Sequence, residues 1–537
     1  MQQDGNFVMA REPTCAIPSG PSKMRLPTGK SAILVAIVLV GTICCLELSA
    51  GLSLWDEGYL WYGAQRVALG EVPIRDFQSY DPARYYWAAA FISILHSDGI
   101  TVVRLASDSF QLLAVAALLF TVVRTTKLLE WSTLLLTGLI VVLWMYPRHK
   151  LYDTSTTIML IAAAAGWLRS QSRVATVLLG IVVGAAAIVG RNHGVYGLIG
   201  SILLFAYAHQ GGYAGLASRA TCFAAGVAIG YLPMLLALVG VHGLAEPFLR
   251  SISIMFERGA TNLPLPVPWP WLSDDPFGGW TSFRRFLLGT GFLMLLALPV
   301  LVLGVRFAAR RELQSRSPVA AAAAILAVPY AHFAYSRADI GHLAQSIAPC
   351  LIAVALYPYE RRSVRVAIHF IILVFTALLI VPERPGWQAR TGHWADHDVV
   401  GETLKLQVAS ANEVDAIRDH VADIKPAGRS FLAVPYWPGA YALMRQRSPM
   451  WEIYALVPRS EDEQMKEIVR IQRSNSDVAF LHGGALDGDP NQTFSKTHPL
   501  IAQYLTTQAQ STEYDERLPE VTILHLRASP TTGHSSN

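Results

Sequence analysis

Charge is what this sequence has least of. Only 15% of its 537 residues are Asp, Glu, Lys or Arg, where soluble domains carry about 25%. Such a chain cannot coat a large soluble core, and the shortage is worst ahead of Glu383. Lipid removes the need for a coat, because it accepts apolar side chains on the outside. Cysteine is scarce as well. The five are Cys15, Cys44, Cys45, Cys222 and Cys350, all in the N-terminal tail or in apolar stretches. That placement excludes a disulfide framework and a CxxC-type metal site, and adjacent Cys44 and Cys45 read as lipid-facing or core residues. The net charge is only +4, with no basic block of the kind that binds nucleic acid. No internal repeat is visible, and only 1–30 and 528–537 have the composition of disordered ends.

What fills the sequence instead is apolar length. Hydrophobic residues make up 52% of it, and the mean hydropathy is +0.35. A membrane span needs about 17–25 apolar residues. The candidate runs are 31–50, 103–123, 129–147, 154–168, 174–190, 194–208, 218–240, 286–305, 318–335, 343–359 and 364–381, of which 154–168 and 194–208 are short or Gly-rich. The first is apolar apart from Glu47, and no small-residue cleavage pattern precedes Trp55. It reads as a retained span rather than a removed signal peptide. Arg11, Lys23, Arg25 and Lys30 precede it and place the tail in the cytoplasm by the positive-inside rule. Every later inner connection is then basic: Arg124 and Lys127; Arg169 and Arg173; Arg219; Arg306, Arg310, Arg311 and Arg316; Arg361, Arg362 and Arg365. Eleven spans from an inner N-terminus deliver the C-terminus outside. The lack of disulfide cysteines points to a bacterial inner membrane rather than the endoplasmic reticulum.

From about Glu383 the composition becomes that of a soluble domain. A helical pattern at 411–424 leads into an apolar strand at 430–434, and a helix at 460–473 into the strand-like run Val478 to His482. A helix near 498–508 and a strand at 520–527 follow. This alternation predicts a small α/β domain. The expected fold class is therefore a polytopic α-helical membrane protein of about eleven spans with a C-terminal soluble α/β domain. Residues 1–30 form the cytoplasmic tail, 31–382 the membrane domain with a long outer loop at 51–102, and 383–537 the extracytoplasmic domain.

Charges at membrane depth cost about 2.5–3.5 kcal/mol each on insertion scales and so mark function by default. Here they gather at the outer ends of the runs. Trp55-Asp56-Glu57-Gly58-Tyr59 follows the first run directly. Standing alone, the acid pair is as readily an ordinary helix N-terminus, where acids meet the positive end of the macrodipole. It is followed by Gly70-Glu71-Val72-Pro73-Ile74-Arg75-Asp76-Phe77, then by Tyr80-Asp81-Pro82 and Tyr85-Tyr86-Trp87. A second outer loop, 241–285, holds a Pro/Trp cluster from Leu263 to Leu272 and the pair Asp274–Asp275. Short outer turns carry Arg148-His149-Lys150 with Asp153, Arg191-Asn192-His193, and Arg337 with Asp339 and His342.

The 51–102 stretch resembles the first outer loop of the GT-C glycosyltransferases, in the branch with protein O-mannosyltransferases and lipid A aminoarabinose transferases. In that superfamily a span ends in an acidic residue, often Asp-Glu. A G-x-x-P-x-x-D segment and a Pro-aromatic helix follow. Asp81-Pro82-Ala83-Arg84 stands where many members have a Pro-Pro pair, which is a departure. The resemblance implies an enzyme that takes a sugar from a polyprenyl-phosphate carrier and passes it to an acceptor hydroxyl on the outer face. It implies Asp56 as the base that accepts the hydroxyl proton, with a pKa raised toward that task by a buried site at the membrane edge. Glu57 orients the acceptor, holds the base or is structural. Asp153 is the candidate second acid, and Asp76, Asp81 and Arg84 are substrate-binding candidates from the motif.

The departing lipid phosphate needs positive charge, and arginine suits it through bidentate geometry. Arg148, Lys150, Arg191 and Arg337 are the candidates. Arg148 and Lys150 also fit simple snorkelling into lipid headgroups. Arg191 follows a span with Gly180 and Gly184, spaced for close helix approach. His193 and His342 hydrogen-bond phosphate or sugar, or are structural. With Asp339 they include donors for a divalent metal, but their spacing does not demand one. No metal and no cofactor is expected beyond the polyprenyl-phosphate-linked sugar donor. The expected partners are the membrane lipid carrier and a glycan, lipid or protein acceptor. Two other classes compete. A secondary transporter would show broken polar helices near the midplane and related halves. An O-antigen ligase or polymerase would carry a large late outer loop, whereas here the richest acidic loop is the first.

Overall fold

A helix in hydrocarbon satisfies its backbone donors and acceptors within its own segment, which is why each apolar run becomes one. The computed structural model describes residues 26–126, 129–209, 216–258, 262–273, 275–308, 317–424, 426 and 428–527. Helix α1 (Gly29–Glu47) is followed by α2 (Asp56–Ala68) and α3 (Ala83–Leu95) in the first loop. Then come α4 (Ile100–Thr125), α5 (Trp131–Trp144), α6 (Leu151–Ser170), α7 (Arg173–Val189), α8 (Arg191–His209) and α9 (Leu216–Gly240). An amphipathic α10 (Ala245–Arg258) precedes α11 (Trp280–Ala308), α12 (Pro318–Ser336), α13 (Ile340–Ala355) and α14 (Arg362–Leu379). A helix thus stands at each of the eleven expected runs. They are not eleven equal spans, however. Among the described residues six helices (α1, α4, α9, α11, α12 and α14) are long and apolar enough to cross a membrane, and α5 with α6 makes a seventh if that pair, bent by 106°, is one span. Helices α7 and α13 are apolar but shorter. The reason lies in polar residues at helix ends: α6 opens with Asp153 to Thr157, and α8 with Arg191-Asn192-His193. The tail 1–25, Lys127, Asp274, Arg310, Arg311 and Arg316 fall outside the described residues.

Small residues set the closest packing. A Cβ on Gly180 or Gly184 would lie 2.4 or 2.3 Å from carbonyl oxygens of α9, and one on Gly226 or Gly230 of α9 equally close to α7. The two four-residue glycine spacings face each other, the geometry that small-residue motifs permit between helices. The one acid in the first apolar run is paired. Glu47 receives Arg384 at 2.7 and 3.0 Å, both side chains nearly fully buried.

Beyond α14, β1 (Trp394–Val399) and β2 (Glu402–Gln407) form a hairpin whose turn residues Val400 and Gly401 both have positive φ, as a type I′ turn requires. Strands β3 (Ser430–Val434), β4 (Ser476–His482), β5 (Ala509–Glu513) and β6 (Val521–Leu526) form a sheet in the order β3-β4-β6-β5. β3 and β4 are parallel and the other pairs antiparallel. Helices Val408–Ala422, Glu461–Arg473 and Pro499–Gln508 stand where expected. The hairpin, the short helix Pro438–Met444 and β5 were not expected. β5 is a polar edge strand, mostly exposed, with no apolar alternation to betray it.

This sheet region shares one hydrophobic core with the first loop. Leu54, Tyr59, Trp61, Tyr62 and Phe77 pack with Leu404, Phe431, Trp437, Tyr441 and Phe480. Gly58 makes the approach possible. A Cβ there would sit 2.5 Å from the backbone of Gly439, whose N–H donates to the Leu54 carbonyl at 2.8 Å.

Candidate active site

Asp56 and Glu57 open α2, with the Asp56 N–H donating to Ser53 Oγ at 3.2 Å. Neighbouring residues on a helix point about 100° apart, so the two acids diverge. Asp56 faces a cleft and half of its side-chain surface is open. Tyr454, from the C-terminal region, donates its hydroxyl to Oδ1 at 2.6 Å, and His149 Nε2 lies 3.9 Å from Oδ2. Burial pushes the Asp56 pKa up, but His149, the Tyr454 hydroxyl, Lys150 and Arg337 together outweigh it and hold the carboxyl below its usual value. The raised pKa expected from the sequence is thus corrected. The cations and the tyrosine hydroxyl converging on Asp56 overcome desolvation, and the group is a carboxylate at neutral pH. For His149 burial outweighs the attraction of Asp56, so its imidazole pKa falls below its usual value.

Glu57 points the other way, into protein. Arg104 donates to both its oxygens at 2.7 and 2.8 Å, and Arg148 approaches at 3.0 and 3.3 Å. Both arginines are also tied to backbone: Arg104 to the Leu48 and Gly51 carbonyls, Arg148 to those of Glu47 and Ala50. This clamp fixes the end of α1 against the start of α2, and so fixes where Asp56 stands. Arg148 is spent on that brace rather than open to the cleft.

Lys150 remains beside the cleft. Its Nζ donates to Tyr80 Oη at 2.7 Å and lies 4.1 Å from that ring's centre. Burial opposes its charge, but Tyr80 and Asp153 outweigh burial and keep its pKa above the usual value. Tyr80 packs edge-on against Tyr59, which meets Tyr454. On its other side Tyr80 underlies Arg84, 4.8 Å away. Arg84 grips both oxygens of Asp153 at 3.0 Å and donates to the Val189 carbonyl. His193 Nε2 meets Asp153 at 3.0 Å, and its Nδ1 meets Tyr330 Oη at 2.8 Å. Asp153 and His193 are therefore joined, but by a buried network one layer behind Asp56.

The remaining candidates divide. Arg337 donates to both oxygens of Asp487 at 2.6 and 2.7 Å and to Asp339 at 2.8 Å, while Asp339 also holds His342 at 2.9 Å. Arg337 is close enough to lower the Asp56 pKa. Asp81 anchors the first loop to α8, accepting the Arg191 backbone N–H and side chain, each at 2.7 Å. Arg191 also reaches Ser251. Asp76 is held by Arg75 and the Val72 N–H inside its own turn rather than by any group that meets Asp56. His193 lies with Asp153 rather than with Asp339 and His342. Among the described residues no group of three or more His, Cys, Asp or Glu side chains is placed to hold a metal ion.

Tyr454, Arg104 and Asp487 were not singled out from the sequence, and Tyr80 stood there only as part of the Tyr80-Asp81-Pro82 motif, without a role. His149 had a signal, lying between two candidate cations. Tyr454 had none, being 398 residues from its partner. Beside this network runs an apolar groove of about 1000 Å³, lined by Ala83, Tyr86 and Trp87 of α3 and by Met159, Val182 and Pro233 of the spans. Val189, whose carbonyl binds Arg84, also lines it, as do Pro82 and Ala83 just ahead of Arg84, so one wall of the groove abuts the cationic network.

No protein-family model matches the sequence, and no curated protein matches it. Solved structures do match. The structure of ArnT from Cupriavidus metallidurans in the apo state superposes with a TM-score of 0.52 at 12% identity, over 92% of this chain and 97% of that one. ArnT bound to undecaprenyl phosphate gives 0.50 at 14% identity, over 93% and 97%. The chain has the ArnT fold. The GT-C resemblance carried by the first loop therefore holds at the level of fold. An Archaeoglobus fulgidus oligosaccharyltransferase is a looser match, with a TM-score of 0.45 at 11% identity over 84% of this chain and 69% of that one.

Proposed function

We propose that the protein is a membrane glycosyltransferase that moves a sugar from a polyprenyl-phosphate donor to an acceptor hydroxyl on the outer face of the membrane. The observation that carries this is the apolar groove whose wall includes Val189, the residue whose carbonyl binds Arg84, with Tyr80 beneath Arg84 leading to Lys150 and, through Tyr59 and Tyr454, to the Asp56 carboxylate. A long isoprenoid with a charged head needs that combination, and the undecaprenyl phosphate bound by ArnT is a ligand of that kind. In the proposed step, Asp56 accepts the acceptor's hydroxyl proton as its oxygen forms a bond to sugar C1. The bond from C1 to the phosphate oxygen breaks, and its electron pair leaves with the lipid phosphate. Lys150, with Arg337 once it turns from Asp487, offsets the charge that develops there. Glu57 holds Asp56 in place through Arg104 and Arg148, Asp153 and His193 hold Arg84, and Asp339 with His342 holds Arg337.

The proposal takes all eleven helices as spanning, the N-terminus as cytoplasmic and the C-terminal α/β domain as extracytoplasmic, in a bacterial inner membrane. It needs no metal or cofactor, and the acceptor is a glycan, lipid or protein. Asp56→Asn keeps size and hydrogen bonding but removes the proton acceptor, and loss of a general base costs about 10²–10⁴-fold in rate. We expect that loss in transfer from a polyprenyl-phosphate sugar in membranes, with unchanged protein level. A folded Asp56→Asn protein that transfers at the wild-type rate removes Asp56 as the base. Solute movement by the wild type without any transfer would favour the transporter.

A further inference from the structure

A second cavity, of about 610 Å³, opens between the first loop and the C-terminal sheet region. Five arginines line it, Arg75, Arg429, Arg447, Arg470 and Arg473, against a single acid, Asp76, and no lysine among the described residues. Asp76 is taken up by Arg75 at 2.7 Å. Three of the others are braced by acids that do not line the cavity: Arg429 by Asp477 at 2.5 Å, Arg447 by Glu71 at 3.2 Å and Arg470 by Glu467 at 2.5 Å. The exposures decide how to read these pairs. The acids are 14%, 14% and 7% exposed, while their arginines are 42%, 62% and 47% exposed. Largely buried carboxylates therefore stand behind more exposed guanidinium groups and hold them in place. A guanidinium has five N–H donors, and each brace engages only one side of it.

A wall of braced arginines is suited to a phosphate or carboxylate. The planar fork binds such groups through two parallel hydrogen bonds, which lysine cannot match. Bracing also reduces the side-chain entropy lost on binding. One short chain segment runs from the cavity's lining to the cleft. Ser448 to Trp451 line the cavity, and three residues later Tyr454 donates to Asp56. Three residues of chain span about 10 Å at most, so the Trp451 and Tyr454 backbones are within the length of a short saccharide. We infer that this cavity binds a phosphate- or carboxylate-bearing saccharide, the anionic end of the acceptor whose hydroxyl reaches Asp56. The word acceptor rests on the glycosyl-transfer reading, and the anion site does not.

The same chemistry could be supplied by an anionic lipid headgroup, so the test has separate arms. Full-length protein in neutral detergent is titrated with inorganic pyrophosphate, followed by thermal shift and by Trp451 fluorescence. The comparison is the double variant Arg447→Gln/Arg473→Gln. In this protein Glu71 keeps its second partner, Arg66, at 2.5 Å, so no buried acid is orphaned. We expect saturable binding weakened about tenfold or more in the variant, with the ligand-free melting temperature unchanged. In transfer assays the variant's KM for an anionic acceptor should rise by a similar factor, with donor KM and kcat retained. Absence of pyrophosphate binding by the wild type, or equal binding by the variant, overturns the site. Displacement of pyrophosphate by nanodiscs containing phosphatidylglycerol, but not by phosphatidylcholine nanodiscs, overturns the acceptor assignment in favour of a headgroup. Binding as expected in a protein that transfers no lipid-linked sugar overturns the proposed function and leaves the anion site standing.

Discussion

Replacing Glu57 by Gln removes the charge on which two buried arginines converge. Arg104 is 1% exposed and Arg148 12% exposed, so neither can turn to water when its partner is neutralised. Breaking a buried pair from one side typically costs about 3–5 kcal/mol, because the other charge is left uncompensated. Protonation gives a second route to the number. Burial raises the Glu57 pKa, but Arg104 and Arg148 outweigh it and bring the carboxyl from its ordinary 4.5 to about 2. That depression is worth about 3 kcal/mol of folding free energy. The sign follows from the direction. A carboxyl depressed by folding contributes fully above about pH 4.5, and its contribution is lost as pH falls through about 2. We therefore expect Glu57→Gln to be less stable than wild type by about 3 kcal/mol at neutral pH, with the gap narrowing at about pH 2–3. Denaturant unfolding of both proteins in the same detergent measures it. Asp56→Asn is the control: its side chain is half open, so its stability should change by less than about 1 kcal/mol. Equal stability of Glu57→Gln and wild type at neutral pH, or a gap that does not narrow in acid, would refute the reasoning.

Gly58→Ala places a Cβ against the Gly439 backbone. It should push the Pro438–Met444 helix away from α2 at a cost of about 1–3 kcal/mol, seen as faster limited proteolysis of the C-terminal region and slower transfer. In Tyr454→Phe the hydroxyl that lowers the Asp56 pKa is gone. The acid limb of kcat/KM should move to higher pH, and an unmoved limb would mean that Asp56 does not control it. Cysteine labelling should find residue 30 and residues 308–316 inside, and residues 270–280 and the region after 383 outside. A cytoplasmic C-terminal region would put the proposed site on the wrong face.

The sequence by itself determined where the helices of the apolar runs form, because in such a run hydropathy and backbone satisfaction are local properties. It also located the acid pair Asp56-Glu57 and the turns around Lys150, Arg191 and Arg337, since charges beside long apolar runs stand out one residue at a time. It did not reveal β5, a polar edge strand without alternation. Nor did it tell the two acids apart: adjacent carboxyls in one motif look alike until packing turns Asp56 to the cleft and Glu57 into the Arg104–Arg148 clamp. The partners of the site came from far away in the chain, Tyr454 for Asp56, Asp487 for Arg337 and Arg384 for Glu47. Tertiary structure alone decided these, because a hydrogen bond or ion pair depends on separation in space. The same holds for the arginine-lined cavity. Its members lie on the 51–102 segment and on three separated stretches of the C-terminal region, and they become one site only when Gly58 lets those parts close on each other.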